Sequence, residues 1–258
     1  MEPDGQGTAP EEAGTLSQPD AQAGDATSPL ADAGPCPGKG ATMVPVVTTI
    51  GTTYCIDSTE VTQAQYSAFL FDTRGVVKDP PSKCTSKADL TPATGGGCLG
   101  KYEPAGKGAY PVVCVDWCDA WSYCHWAGKR LCGPIAGEES KGRAGEWVGA
   151  CSSNGSRVYP YGDVYVSGTC NDSNATGTTR PAGSMPGCVG GSRGLFDMSG
   201  NVNEWIDKCE ADDACEARGG NYLSTESASQ PIYAHLRCVS ADVFHPPRAH
   251  RGEQVGFR

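Results

Sequence analysis

Fourteen cysteines spread from Cys36 to Cys238, with no two in a C-x-x-C arrangement, constrain this chain more than any other feature. Structural zinc sites gather their thiolates in closely spaced pairs, so the zinc reading is weak. The Cys124-His125 dipeptide lacks the upstream cysteine of a c-type haem attachment. Scattered, even-numbered cysteines read instead as a disulfide framework made in an oxidising compartment. Each such link stabilises a loop-rich domain by roughly 2–4 kcal/mol. The expected location is extracellular, at a cell surface or periplasmic. Residues 1–35 hold neither the basic nor the apolar region of a signal peptide. The expectation is therefore a leader already removed, with Met1 not the natural start; an intact mass and the full-length gene would decide it.

The rest of the composition narrows the partners. With 35 glycines and 19 prolines in 258 residues, about a fifth of the chain, a helical bundle or coiled coil is disfavoured. A net charge of −10 argues against a nucleic-acid backbone or an anionic membrane surface as the main partner. No apolar run approaches the roughly 18 residues of a membrane-spanning helix, so no transmembrane segment is expected.

Residues 1–40 read as an Ala/Gly/Pro-rich tether. Its first 35 residues carry seven acidic side chains and no basic one. They offer too little apolar surface to offset the entropy of ordering, so a disordered segment is expected, with surface anchoring as its role. Residues 41–258 read as one α+β domain. Strands are expected at Val44–Val47 and Thr52–Ile56 with a turn at Gly51. A helix capped by Thr62 should follow, presenting Tyr66, Phe69 and Leu70, and then a Gly/Pro/Lys-rich insertion over 72–110 with Cys84 and Cys98. A strand at Pro111–Val115 should lead into an aromatic helix from Asp116 to Ala127 stopped by Gly128, and a second helix over 142–150 should carry Trp147. Short strands are expected near 194–198, 203–207, 217–222, 236–239 and 255–258. Trp117, Trp121 and Trp147 read as core rather than as a ligand platform.

An ordered series of motifs runs through this domain: Ile56-Asp-Ser-Thr-Glu-Val-Thr62, Pro111-Val-Val-Cys-Val-Asp-Trp117, Ala127-Gly-Lys-Arg-Leu131, Glu146-Trp147 and Tyr159-Pro-Tyr-Gly162. Gly194-Leu-Phe-Asp-Met-Ser-Gly-Asn-Val-Asn-Glu-Trp205, Arg218-Gly-Gly-Asn221 and Val255-Gly-Phe-Arg258 complete it. The series resembles the formylglycine-generating enzyme family, also called the sulfatase-modifying-factor family. That resemblance implies an irregular, loop-rich C-type-lectin-like fold. In active members it also implies an oxidase that converts a sulfatase cysteine to formylglycine with copper and oxygen. Relatives on this fold include iron-dependent sulfoxide synthases, pyoverdine-maturation proteins and hypervariable ligand-binding proteins, so fold alone does not select the activity.

The resemblance places the two copper-binding cysteines of active members on Ser224 and Ser229, after Gly219-Gly220-Asn221-Tyr222-Leu223. Two soft thiolates hold Cu(I); a hard, protonated hydroxyl does not. Copper is accordingly not expected. Cys209 and Cys215 flank Glu210-Ala-Asp-Asp213 and are either a redox pair or a disulfide closing a hairpin, the second being the better reading. Iron would need a histidine-rich helical domain, and this chain offers only His125, His235, His245 and His250. His235 is the nearest base in sequence to Ser224, but no hydrolase elbow surrounds that serine.

By resemblance, Cys151 pairs with Cys238, while the family partner of Cys124 would lie beyond Arg258. Pairings Cys209–Cys215, Cys170–Cys188, Cys98–Cys114 and Cys118–Cys132 follow from proximity and from related sequences. The resemblance also implies a calcium site using the Asp197 and Glu204 side chains and the Gly200 and Val202 carbonyls. Hard oxygens in one glycine-containing turn suit Ca²⁺; the alternative is a hydrogen-bonded turn without metal. A second site would begin at Asn171-Asp172.

Two functions compete. In one, the domain is a calcium-stabilised binding or surface-interaction module for a protein or surface ligand, acting through loop 223–235 and the 72–110 insertion. In the other it is a formylglycine-generating-type oxidase with rearranged catalytic groups. A structural part in an extracellular assembly is a third class.

Overall fold

A computed structural model describes residues 36–76, 78–135, 145–173, 175–226, 235–240 and 243–258. The acidic tether up to residue 35, Ser229 and most of loop 223–235 lie outside the described residues.

The domain opens with an antiparallel hairpin of β1 (Met43–Val47) and β2 (Thr53–Asp57), with Val44 opposite Ile56. Helix α1 (Gln63–Thr73) follows. Thr62 accepts from the Gln65 backbone while the Gln65 side chain accepts from the Thr62 backbone, a reciprocal cap that fixes where the helix begins. The 72–110 insertion has little regular structure, contributing two single 3₁₀ turns and the short α2 (Pro104–Lys107). Helix α3 (Trp117–Trp126) repeats the cap with Asp116 and Asp119, and α4 (Glu146–Ser152) is entirely buried. A two-stranded ribbon pairs β3 (Val189–Gly190) with β4 (Ser192–Phe196). The last sheet has order β6-β5-β7, from β5 (Asn203–Cys209), β6 (Cys215–Arg218) and β7 (Val255–Phe257). Strand β7 runs parallel to β5, which draws the end of the chain into the interior.

Two apolar clusters hold these pieces together. In one, Tyr66, Phe69, Tyr123 and Phe257 meet mostly edge to face, joining α1, α3 and β7. In the other, Trp147 packs with Ile56, Leu195, Met198 and Ile206. Trp117 and Trp147 are buried core, as their sequence context suggested, and Trp121 is partly exposed.

Six disulfides compensate for the scarcity of regular structure: Cys36–Cys55, Cys84–Cys118, Cys98–Cys114, Cys151–Cys238, Cys170–Cys188 and Cys209–Cys215. Two of them staple the 72–110 insertion to the segment around α3. The expected Cys118–Cys132 link is wrong. Cys118 lies in the first turn of α3, while Cys132 lies beyond its far end and belongs to the second cluster. A ten-residue helix is about 15 Å long, and a disulfide spans at most about 7 Å between Cα atoms. Cys132 and Cys124 remain buried free thiols.

Two expected strands also fail and a third is displaced toward the N-terminus. Residues 111–115 are buried but irregular: Cys114 sits at φ 63°, and Val112 N donates to Val61 O instead of to a ladder. Residues 236–239 form turns, and the strand expected over 217–222 ends at Arg218 because two left-handed glycines follow it. In each, β-branched or aromatic residues mark burial rather than sheet. The helix expected over 142–150 runs from Glu146 to Ser152, and residues 136–144 lie outside the described residues.

Candidate functional site

Two places matter: the tight turn after β4 and the turn carrying Ser224. The first is Asp197-Met-Ser-Gly-Asn201, where Asp197 (φ 55°), Gly200 (φ 77°) and Asn201 (φ 60°) all adopt left-handed backbone. Asp, Asn and Gly tolerate that conformation best. Gly200 is also required sterically, since an added Cβ would lie 2.5 Å from Asn171 O. Asn201 N donates to that same carbonyl at 2.8 Å, and Asn171 Nδ2 donates to Asn201 Oδ1 at 2.9 Å. The turn therefore rests directly on the Asn171 loop.

Behind it lies a buried charge cluster. Glu204 on β5 takes a two-pronged grip from Arg258, with Nε at 2.7 Å and Nη2 at 2.5 Å, and accepts from Trp147 Nε1 at 2.6 Å. The Arg258 side chain is 1% exposed and also donates to Phe196 O and Asp57 O. Asp197 accepts from Gly183 N at 2.5 Å. Glu60, fully buried just before α1, accepts from Asn201 Nδ2 at 2.8 Å through Oε1, while its Oε2 has no hydrogen-bond partner. Three acids thus share one guanidinium. Burial, reinforced by the charges of Asp197 and Glu204, pushes the Glu60 carboxyl well above its ordinary range. Burial also raises Asp197, to about 6.

Such a cluster relieves its surplus negative charge either by holding protons or by taking up a cation. The residues suit a hard cation, with the Glu60 Oε2 next to the Asp197 carboxylate, close enough for the two to share a proton when no cation is bound. Among the described residues no three of His, Cys, Asp or Glu form a ready side-chain metal site. A cation here would therefore need the backbone carbonyls of Gly200 and Val202 as well. Glu204, one of the four residues implied by resemblance, is committed to Arg258 and Trp147. At the weaker candidate, Asn171 Oδ1 accepts from Thr176 and Asp172 Oδ2 accepts from Tyr165 OH at 2.6 Å, so both side chains are engaged by protein.

Sequence reading missed the roles of Glu60 and Arg258, which it held only as letters within motifs. The available signal was an acidic residue between Thr59 and Val61 at a helix entry, and a terminal arginine beside buried Phe257. Other motif residues prove to be scaffold. Lys129 is buried against Asp57 at 2.5 Å, and Arg130 forks onto Glu146, which also accepts from Gly133 N.

The second place is built quite differently. Ser224 closes a small turn: its Oγ accepts from Asn221 N at 2.9 Å and its N donates to Asn221 O at 2.9 Å. Its carbonyl accepts from Ser173 N at 3.0 Å. His235 lines a shallow cleft with Gly219, Gly220 and Arg237 nearby, and Arg237 is paired with Glu226. Cys209 and Cys215 face each other across the β5–β6 hairpin as a disulfide.

The family comparison can now be set beside this geometry. Residues 20–258 match the sulfatase-modifying factor enzyme 1-like domain. The chain belongs to that family. It is 30% identical over 177 residues to the inactive Cα-formylglycine-generating enzyme 2 of Bos taurus, covering 60% of this chain and 54% of that protein. It is also 30% identical over 133 residues to the serine/threonine-protein kinase pkn1 of Chlamydia caviae, covering 51% of this chain and 19% of the kinase. The chain thus spans about half of the first relative and a fifth of the second. In fold it is similar to PvdO from Pseudomonas aeruginosa, with TM-score 0.54 at 18% identity over 85% of this chain and 91% of that one. CarF gives TM-score 0.50 at 20% identity over 86% and 94%. These likenesses, with six disulfides and mixed helix and sheet, establish the loop-rich α+β fold of the family.

Proposed function

We propose that this domain is an exported, calcium-stabilised binding module of the sulfatase-modifying-factor family that has given up copper-dependent oxidation. The observation that carries the reading is Ser224. Where active relatives place a thiolate, this chain has a hydroxyl that accepts from the Asn221 backbone N–H. That hydroxyl serves the turn and offers copper no soft ligand. The name of the bovine relative, an inactive formylglycine-generating enzyme, supports the same direction. Six disulfides support export to an oxidising compartment.

Calcium enters the proposal through Asp197, the Gly200 and Val202 carbonyls and the surplus charge of Glu60. The ion would fix the turn and neutralise the cluster. The partner would be a protein or surface ligand reached through the stapled insertion and the loop after Ser224.

The test is a copper-loaded oxygen-consumption assay on a cysteine-containing sulfatase peptide. No consumption above the protein-free background is expected, together with a rise in melting temperature on adding calcium to chelator-treated protein. Turnover that disappears on mutating Cys209 or Cys215 would instead establish an oxidase with rearranged catalytic groups.

A further inference from the structure

A cavity of about 490 Å³ opens where the C-terminal ends of α1 and α3 meet. It shares no residue with the Glu60–Arg258 cluster or with the Ser224 turn, and its volume lies in the range of ligand pockets, roughly 300–1,000 Å³. Phe69, Ser122 and Trp126 form its base, with Lys39, Asp72 and His125 on the rim. The His125 ring is itself stacked on Trp121 at 4.9 Å, which stiffens that wall.

The protein already seats a cation there. Lys39 Nζ lies 4.4 Å from the centroid of the Trp126 ring and 3.5 Å from Asp72 Oδ2. An indole face attracts an ammonium through its quadrupole, and a carboxylate alongside adds Coulomb attraction. The seat is held loosely, because the Lys39 and Asp72 side chains are 57% and 48% exposed and pairs so exposed contribute little. The backbone beneath Lys39 is fixed by contrast. Cys36–Cys55 anchors one side, Lys39 N donates to Ala127 O at 2.9 Å, and Gly40 (φ 88°) passes where an added Cβ would lie 2.4 Å from the Tyr123 hydroxyl. The ammonium is thus free to swing away while its backbone stays.

We propose that this pocket binds an alkylammonium group, recognised by Trp126 and Asp72, and that Lys39 is a resident stand-in which the ligand displaces. With Lys39 swung out, the lining holds two carboxylates, Asp72 and Asp79, against the one lysine Lys78, so an incoming anion gains less than a cation. The same chemistry is supplied by a lysine side chain of a partner peptide or by a free methylated amine. Phe71 in the last turn of α1 and Val76 just beyond its end, 85% and 61% exposed, offer apolar surface to residues flanking a peptide lysine.

The experiment follows the Trp126 indole N–H resonance of the full chain, assigned by its loss in Trp126→Phe. The probes are tetramethylammonium chloride, the peptide acetyl-Gly-Lys-Gly-Phe-amide and sodium acetate. Both cationic probes should shift that resonance saturably and acetate should not. Lys39→Ala should tighten tetramethylammonium binding three- to fivefold, the effect of removing an exposed cation–π competitor. Asp72→Asn, a surface change that leaves the core alone, should weaken it by a similar factor. Tighter binding of the peptide than of the free amine assigns the source as a partner protein, and equal binding assigns a small amine. Binding of acetate at this indole, or a Lys39→Ala affinity equal to that of the unmodified chain, overturns the proposal.

Discussion

Two buried charge networks in this domain use the same residue types in different proportions. At the start of α3, Asp116 and Asp119 are met by two cations. Lys87 bonds both of them, at 2.9 Å from Asp119, and Arg251 reaches them at 3.2 and 3.0 Å. Behind the Asp197 turn, Glu60, Asp197 and Glu204 have, among the described residues, Arg258 alone. Burial raises the pKa of an acid in each, Asp119 to about 7 and Asp197 to about 6, so a perturbed acid does not by itself tell a site from a staple. Stoichiometry does. A balanced network that also caps a helix and holds the insertion is complete as folded, whereas three acids on one guanidinium still lack positive charge.

The largest effect should come from removing the one cation of the unbalanced cluster. Arg258→Met strands Glu204 in the interior, and breaking a buried pair in this way costs about 3–5 kcal/mol. Denaturant unfolding should register it, and added calcium should recover part of the loss if the surplus charge is what the ion answers. Next in size is calcium itself. Free ion at about a hundred times its dissociation constant should stabilise the chelator-treated protein by about 2.7 kcal/mol. Glu60→Gln, which removes a charge but keeps the bond to Asn201, should shrink that increment. An undiminished increment would place the ion elsewhere. In the balanced network Lys87→Met should cost about 2 kcal/mol, because Arg251 still serves both aspartates. That loss should be the same with calcium or with chelator, and a calcium-dependent loss would erase the distinction between the networks.

How much of this was legible in the sequence follows the range of the forces involved. Helix starts were readable because a cap is a local exchange of hydrogen bonds: Thr62 was identified as one, and Asp116 marked the start of the next helix. The hairpin β1–β2 was readable from alternation around Gly51. The segment 111–115 was misjudged because burial against α1 and β7 selects the same β-branched residues as a strand does. Disulfides divided in the same way. Cys209–Cys215 closes a hairpin, and Cys151–Cys238 came through family resemblance. Cys84–Cys118 depends on how a long insertion folds back, which no local pattern encodes. The Glu60–Arg258 cluster joins residues from opposite ends of the domain, so the neighbours of each could mark it singly but could not reveal that the two meet.

Acidity should separate the networks by a smaller margin. Asp197 and Asp119 hold protons more tightly folded than unfolded, since both are raised above the ordinary 3.8. Stability from that source is complete below about pH 4 and is lost as pH rises through about 6 for Asp197 and about 7 for Asp119. Without calcium, acidifying from pH 7 to 5 should therefore stabilise the protein. Asp119→Asn should remove its share of that window and leave the part due to Asp197 and to Glu60, whose carboxyl is raised in the same direction. Saturating calcium should reverse the remaining slope, because the ion needs the Asp197 carboxylate that acid protonates.

The smallest effect belongs to the residue on which the proposal of a non-oxidase rests. Ser224→Ala removes one acceptor from the Asn221 N–H at a half-buried turn and should cost about 1 kcal/mol. Its response to calcium should match that of the unmodified chain, because Ser224 contributes nothing to the carboxylate cluster. A loss several times larger would mean that the turn supports far more of the fold than its hydrogen bonds indicate. Ser224→Cys sharpens the point. The thiol is a poorer acceptor for Asn221 and so should also lose about 1 kcal/mol, while restoring the soft atom that Cu(I) seeks. Copper retained by that variant after dialysis, but not by the unmodified chain, would tie copper binding to sulfur at this position, whereas equal retention by both would place the copper on other groups.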